Sequence, residues 1–196
     1  MTLDLKAATF LGGLRPFPVA VTTLYDGRPN GLMSLSAGAA SIVPESPRAT
    51  VSITKYNHSH DLISESGIFT IHLLSCEADQ LDASLEILMA LGGSSGRDGD
   101  KLANLNTQPG VTGAPILQDA LVYVECRVAH SLDCDEQTTF VGDVVAAEQL
   151  RKGDRLDIGQ AWSKLPREWL KAYDLNHEPQ VESAREYRQR AAAAKA

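Results

Sequence analysis

Hydroxyl side chains crowd the segment between Asn30 and His60. Ser34, Ser36 and Ser41 lie in its first half, and Ser52, Thr54, Lys55, Asn57, Ser59 and His60 in its second. A phosphate dianion is held by such a set: small hydroxyls, backbone N–H groups, one or two cations and the N-terminus of a helix. Lys55 supplies one cation, His60 a second, and a helix opening near His58 a dipole end. The competing reading is structural, because Ser and Thr are ordinary on the wet face of a strand and at helix caps. Spacing alone leaves both readings open.

Other chemistry is poorly supported. The chain has no G-x-G-x-x-G after a strand, no G-x-x-x-x-G-K-[ST] and no H-E-x-x-H. Gly92-Gly93-Ser94-Ser95-Gly96 fits G-x-S-x-G literally. A nucleophile elbow needs a strand before it and a helix after it, whereas here a helical pattern precedes and a Gly- and Asp-rich loop follows. His58-Ser59-His60, with His72 or Cys76, has the composition of a metal site. At a helix start, however, residues i and i+2 face apart. Arg97, Asp98, Asp100 and Lys101 read as a solvated loop, with a gate over a site as the alternative.

The elements that must position the hydroxyl cluster are mostly strands. Six runs stand out: Phe17 to Thr23, Leu32 to Ala37, Arg48 to Thr54, Ile68 to Leu74, Leu121 to His130 and Thr138 to Ala147. Several alternate cleanly, with Phe69, Ile71 and Leu73 on one face, or Val122, Val124, Cys126 and Val128. Asp-Gly and Asn-Gly between Tyr25 and Gly31 signal a hairpin turn. Helices are expected over His58 to Ser66, Glu77 to Leu91, Ala161 to Tyr173 with a break near Pro166, and Glu182 to Ala194. Trp162 and Trp169, seven apart, are expected on one helix face. This pattern predicts a mainly β fold with flanking helices, an antiparallel sheet closing as a barrel. Residues 1–150 form the barrel domain and residues 151–196 a C-terminal helical appendage to it.

Composition narrows the partners. Of 196 residues, 25 are Asp or Glu and 18 are Lys or Arg, a net charge of −7. So acidic a chain lacks the broad basic field that nucleic acid or an anionic membrane requires. Cys76, Cys126 and Cys134 are odd in number, with no C-x-x-C, which favours reduced thiols over a disulfide framework. Met1 to Lys6 shows no signal-peptide pattern, and no apolar run spans a bilayer, so a cytoplasmic location is expected.

Longer stretches carry a family resemblance. Pro16-Phe17-Pro18-Val19-Ala20-Val21-Thr22-Thr23, followed by Asp26-Gly27, Pro29-Asn30-Gly31-Leu32-Met33-Ser34-Leu35-Ser36, resembles the opening of flavin reductase-like proteins of the FMN-binding split barrel. Arg48 to Lys55 with Ser59-His60 resembles the strand and loop that grip FMN in that family. Ser66 to Leu74, Gly113 to Leu117, Leu121 to Val128 and Phe140 to Val144 resemble its later strands. The likeness covers about residues 12 to 148.

The resemblance implies a six-stranded antiparallel Greek-key split barrel, homodimeric, with FMN near the subunit interface. The phosphate would lie against Ser34, Ser36, Lys55 and Ser59-His60. The ring would lie along Met33, Ser34, Leu35 and Ser36, and along Ser52, Ile53 and Thr54, with Ser41 close by. The implied activity is transfer of hydride from NADH or NADPH to FMN N5, then of electrons to free flavin or a small acceptor. No catalytic side chain is then required, because the flavin carries the chemistry. One departure bears on this. Gln137 stands where many family members have a histidine, so a protonatable group near the nicotinamide is lost. An FMN-holding electron carrier without useful reductase activity is therefore the alternative, and a barrel that has lost its cofactor is the third.

Overall fold

The computed structural model describes residues 13–195; the signal-peptide reading of Met1 to Lys6 lies outside them. Among the described residues nine strands and four helices follow in the order β1 (Val19–Tyr25), β2 (Arg28–Ser34), β3 (Ala37–Ala39), β4 (Arg48–Thr54), α1 (His58–Ser66), β5 (Ile68–Leu73), α2 (Leu81–Gly92), β6 (Thr107–Pro109), β7 (Pro115–Leu117), β8 (Val122–Asp133), β9 (Gln137–Gln149), α3 (Ile158–Lys164) and α4 (Arg167–Lys195). The main sheet has seven strands in the order β2-β1-β5-β8-β9-β4-β3, and β6 and β7 form a separate pair. Every pairing is antiparallel.

The sheet curls because alternate residues of its strands converge on one core. Val19 and Val21 of β1, Leu32 of β2, Val51 and Ile53 of β4, Phe69 and Ile71 of β5, Cys126 of β8 and Phe140 of β9 meet there with Ile63 of α1. β2 and β4 lie at or next to opposite ends of the strand order, so a shared core requires a partial barrel. A second core covers the other face of β1. Ala20 meets Leu85, Leu88 and Leu91 of α2, and Leu156, Ala161 and Leu165 close over them. Residues beyond 150 thus pack on the barrel, and Asp157 and Gln160 start α3 with a reciprocal capping box.

Two expectations need correction, and one run divides: the sheet has seven strands because the run from Leu32 to Ala37 breaks after Ser34 and β3 starts anew at Ala37. The hairpin turn is only Asp26-Gly27, both at positive φ (49° and 70°), and Tyr25 pairs with Arg28. Two residues at positive φ match the twist of the strands, so Asn30-Gly31 lies in β2 and makes no turn. Ala161 to Tyr173 and Glu182 to Ala194 are not two separate helices. The break at Pro166 is real, but α4 runs unbroken through Pro179. Trp162 and Trp169 therefore sit on different helices, and both meet Tyr173.

Candidate functional site

The predicted residues fall into two neighbouring groups. In β4, Ala49, Val51 and Ile53 are buried, while Thr50, Ser52 and Thr54 alternate with them on the wetter face. Ile53 thus has its side chain in the barrel core and offers only backbone to a ligand. Ser52 Oγ lies 2.8 Å from Thr139 Oγ1, and Ser52 N–H donates to Ser36 O at 3.0 Å. Ser36 N–H in turn donates to Ser34 Oγ at 3.1 Å. Ser34, Ser36 and Ser52 are therefore contiguous, with half-buried Leu35 between the first two. Ser41 is engaged locally, its Oγ accepting from Val43 N–H at 3.0 Å.

The second group is the turn from β4 into α1. Asn57 Nδ2 donates to Thr54 Oγ1 at 2.6 Å. Buried Ser59 accepts from Asn30 Nδ2 at 2.9 Å, which ties the start of α1 to β2. His60 Nε2 lies 2.9 Å from Thr138 Oγ1, and its Nδ1 lies 3.3 Å from Asp61 Oδ1. Lys55 is held by Asp133, at 2.8 Å to each carboxylate oxygen. Gln137 opens β9 and pairs with Thr54 across the ladder. The structure thus brings Thr54, Lys55, Ser59 and His60 to one turn. It leaves Lys55 and His60 with internal partners.

A cavity of about 390 Å³ opens beside this turn. Met33 and Ser59 are the predicted residues that line it, together with Asn30, Asn57 and His58. The opposite wall is the loop after α2, with Arg97 and Lys101, and α4 adds Tyr173, Asn176 and Gln180. The N-cap Asn57 makes no side-chain bond to the first turn of α1, so that turn presents its N–H groups without a side-chain cap. His58 Nδ1 is buried with no partner. Lys101 donates to Leu91 O, and burial pulls its pKa down to about 8. Arg97 is oriented by Tyr56 O at 3.0 Å and Asp61 Oδ2 at 2.9 Å. An uncapped helix start, an orphaned buried nitrogen and two cations form a donor set for a phosphate. Met33 and Leu91 supply apolar surface for a ring. The residues present therefore fit FMN.

Sequence reasoning missed much of this cavity. Asn30-Gly31 signals a turn, and Arg97 and Lys101 fit a solvated loop as well as a gate, so neither segment points to this cavity. The G-x-S-x-G match has a packing cause instead. A Cβ on Gly93 would lie 2.9 Å from Trp169 Nε1, and one on Gly96 would collide with the Asn30 amide. Both glycines let the loop lie between α4 and β2. The His58-Ser59-His60 metal reading gains nothing: among the described residues no group of three or more His, Cys, Asp or Glu is placed to hold a metal ion.

The curled antiparallel sheet with flanking helices is shared with FMN-binding split barrels of known structure. The chain belongs to the flavin reductase like domain family, whose profile matches residues 13–159. It is 28 % identical over 165 residues to an FMN reductase (NADH) of Agrobacterium fabrum, covering 83 % of this chain and 88 % of that one. It is 27 % identical over 153 residues to the reductase subunit of a flavin-dependent monooxygenase of Mycobacterium tuberculosis, covering 76 % of each. Among solved structures, an FMN-binding protein of Thermus thermophilus superposes with a TM-score of 0.60 at 25 % identity, covering 68 % of this chain and 72 % of that one. Nitrilotriacetate monooxygenase component B of Mycobacterium thermoresistibile superposes with a TM-score of 0.61 at 26 % identity, covering 79 % and 87 %.

Proposed function

We propose that the chain is an FMN-dependent NAD(P)H:flavin reductase. The observation that carries this reading is the polar cavity at the uncapped start of α1, in a chain of the flavin reductase family. FMN, when bound, would supply the redox chemistry, taking a hydride from NADH or NADPH and passing its electrons to free flavin or another small acceptor. The chain's own residues bind and orient. Asn57, Ser59 and the first-turn N–H groups of α1 hold the phosphate, with Arg97 and Lys101 supplying charge. Met33 would meet the ring at the cavity wall, with Ser34 to Ser36 next along the chain and Ser52 to Thr54 beside them. The N–H groups of Ser36 and Ser52 have partners within the chain and would have to exchange them to donate to a reduced ring. Lys55 and His60 contribute only after exchanging their present partners. Gln137 lies on the substrate side.

The finer architecture belongs to the same reading. With β3 counted as a continuation of β2, the strands make a six-stranded Greek-key barrel that pairs as a homodimer near the flavin. The partners are NADH or NADPH and a small acceptor in the cytoplasm, with no role for nucleic acid or membrane. Among the described residues no helix is long and apolar enough to cross a bilayer.

Gln137 favours a second reading, an FMN-holding electron carrier, because an amide has no proton to give. Anaerobic titration separates the two. Bleaching of the flavin absorbance by NADH or NADPH at catalytic rates is the result expected of a reductase. A bound flavin that resists both nucleotides supports the carrier, and a chain that ignores FMN is neither.

A further inference from the structure

α4 lies past residue 159, where the family match ends, yet it lines the cavity through Tyr173, Asn176, Pro179 and Gln180. It has 29 residues and none of them is buried, so it is held at separate points along a length of about 43 Å.

Those points fall into two unlike sets. The first half is seated by shape. Trp169 Nε1 donates to Met89 O at 3.3 Å, and Asn176 Nδ2 donates to Gly93 O at 3.1 Å. The Tyr173 ring stacks on Trp169 at 5.3 Å and meets Trp162 edge-on at 5.9 Å. The second half is held by charge. Arg188 pairs with Glu136 at 2.6 Å, Lys195 with Asp135 at 3.4 Å, and Tyr187 lies 5.4 Å from the Lys55 ammonium. All three partners lie at or near the turn between β8 and β9. Glu136 is only 14 % exposed, and its second oxygen is buried without a partner; the hydrogen bond from Arg188 is the largest effect holding its carboxyl below the usual carboxylate range. Between the two halves stands Pro179, which has no N–H to give the carbonyl of Leu175 and so weakens the helix at the cavity wall.

From these contacts we infer that α4 is a hinged wall of the flavin cavity. The aromatic half fixes it, Pro179 is the hinge, and the Glu136–Arg188 pair is the latch that retains flavin. This rests on the flavin reading given above. Closed, the fixed half keeps Tyr173 and Asn176 on the cavity wall and the swinging half adds Gln180 at its edge. Open, the part beyond Pro179 swings out and takes Gln180 off the wall, and opening costs only exposed charge contacts and one half-buried pair.

The test is the rate of FMN release from the purified full-length chain, followed by flavin fluorescence after mixing with excess apo-flavodoxin as a trap. Arg188→Glu is expected to speed release by about two- to fivefold, the range of one such ion pair. Adding Glu136→Arg is expected to restore the slow rate, because the swapped charges re-form the latch. Tyr173→Ala is expected to speed release while the salt dependence of the latch stays. Unchanged release in Arg188→Glu and Tyr173→Ala, with the wild-type chain binding FMN, would overturn the wall and latch and leave the flavin reading standing. A wild-type chain that binds no FMN overturns both.

Discussion

Lys55 Nζ donates to both carboxylate oxygens of Asp133 at 2.8 Å, so the expected phosphate cation is chelated by the end of β8. The hydrogen bond from Lys55 holds the Asp133 carboxyl below the usual carboxylate range. Lys55 is 20 % exposed and Asp133 68 %, so the pair is screened on one side only. A phosphate must compete with Asp133 for this ammonium. Asp133→Asn is expected to tighten FMN binding by about two- to fivefold, and Lys55→Ala to weaken it by a similar factor, the scale of a half-exposed ion pair. Fluorescence titration reads both. Equal dissociation constants in wild type and both variants would assign Lys55 to the Asp133 pair alone.

Gly93→Ala opposes two effects of known size. Replacing glycine at a helix end gains up to about 1 kcal/mol in propensity. The new Cβ would meet Met89 O at 2.8 Å and Trp169 Nε1 at 2.9 Å. Met89 O is backbone and cannot swing aside, and overpacking of this kind costs about 1–3 kcal/mol. The steric cost wins, so the variant is expected to unfold at lower urea, with red-shifted tryptophan emission as Trp169 leaves its seat. A variant more stable than wild type would show that α4 is not seated on this loop.

Alternation made the barrel legible: Val51 and Ile53, or Phe69 and Ile71, show their inward face in the sequence because a half-buried strand repeats every two residues. His58 to Ser66 was readable for the same kind of reason, with Gly67 to stop it. The cavity was not readable, because it is made by contacts across long sequence separations. Asn30 to Ser59, and Gly93 to Trp169, leave no local periodicity. Glu125 makes the same point. It alternates as an outward residue of β8, yet it is fully buried, accepting from Val111 N–H at 3.1 Å and from the Thr112 N–H and hydroxyl at 2.9 and 2.7 Å. Only the loop folding back over β8 makes that carboxylate internal.

His72 is the buried counterpart on β5. Its Nε2 accepts from Leu117 N–H at 3.0 Å and its Nδ1 faces Ala20 O at 3.4 Å, so the neutral ring pins β7 to β1. Burial lowers its pKa from 6.5 to about 3. Between those values the unfolded chain binds a proton that the folded chain refuses. This contribution is therefore complete above pH 6.5, is lost as pH falls, and is gone near pH 3. From pH 7 to pH 5 the loss from this one group is about 2 kcal/mol. His72→Gln keeps an acceptor for Leu117 and cannot titrate. Urea unfolding at the two pH values is expected to show a smaller acid loss in this variant than in wild type, and equal losses would mean that His72 takes up its proton without unfolding.

Gln137 opens β9 opposite Thr54, beside the turn that carries Lys55 and Ser59. An amide at this position can orient a substrate but cannot change charge between pH 5 and 8, the interval in which histidine does. The wild-type rate of NAD(P)H-driven flavin reduction is therefore expected to be flat, within about a factor of two, between pH 6 and pH 8. Gln137→His places a titratable ring there, and kcat/KM is expected to gain an acid limb centred near pH 6.5, with the largest increase over wild type at pH 6. The strand pairing of β9 with β4 uses backbone only, so the substitution leaves the ladder intact. An acid limb already present in the wild-type chain would move the proton-bearing group elsewhere. His60, 2.9 Å from Thr138 Oγ1 on the adjacent turn, would be the next residue to substitute.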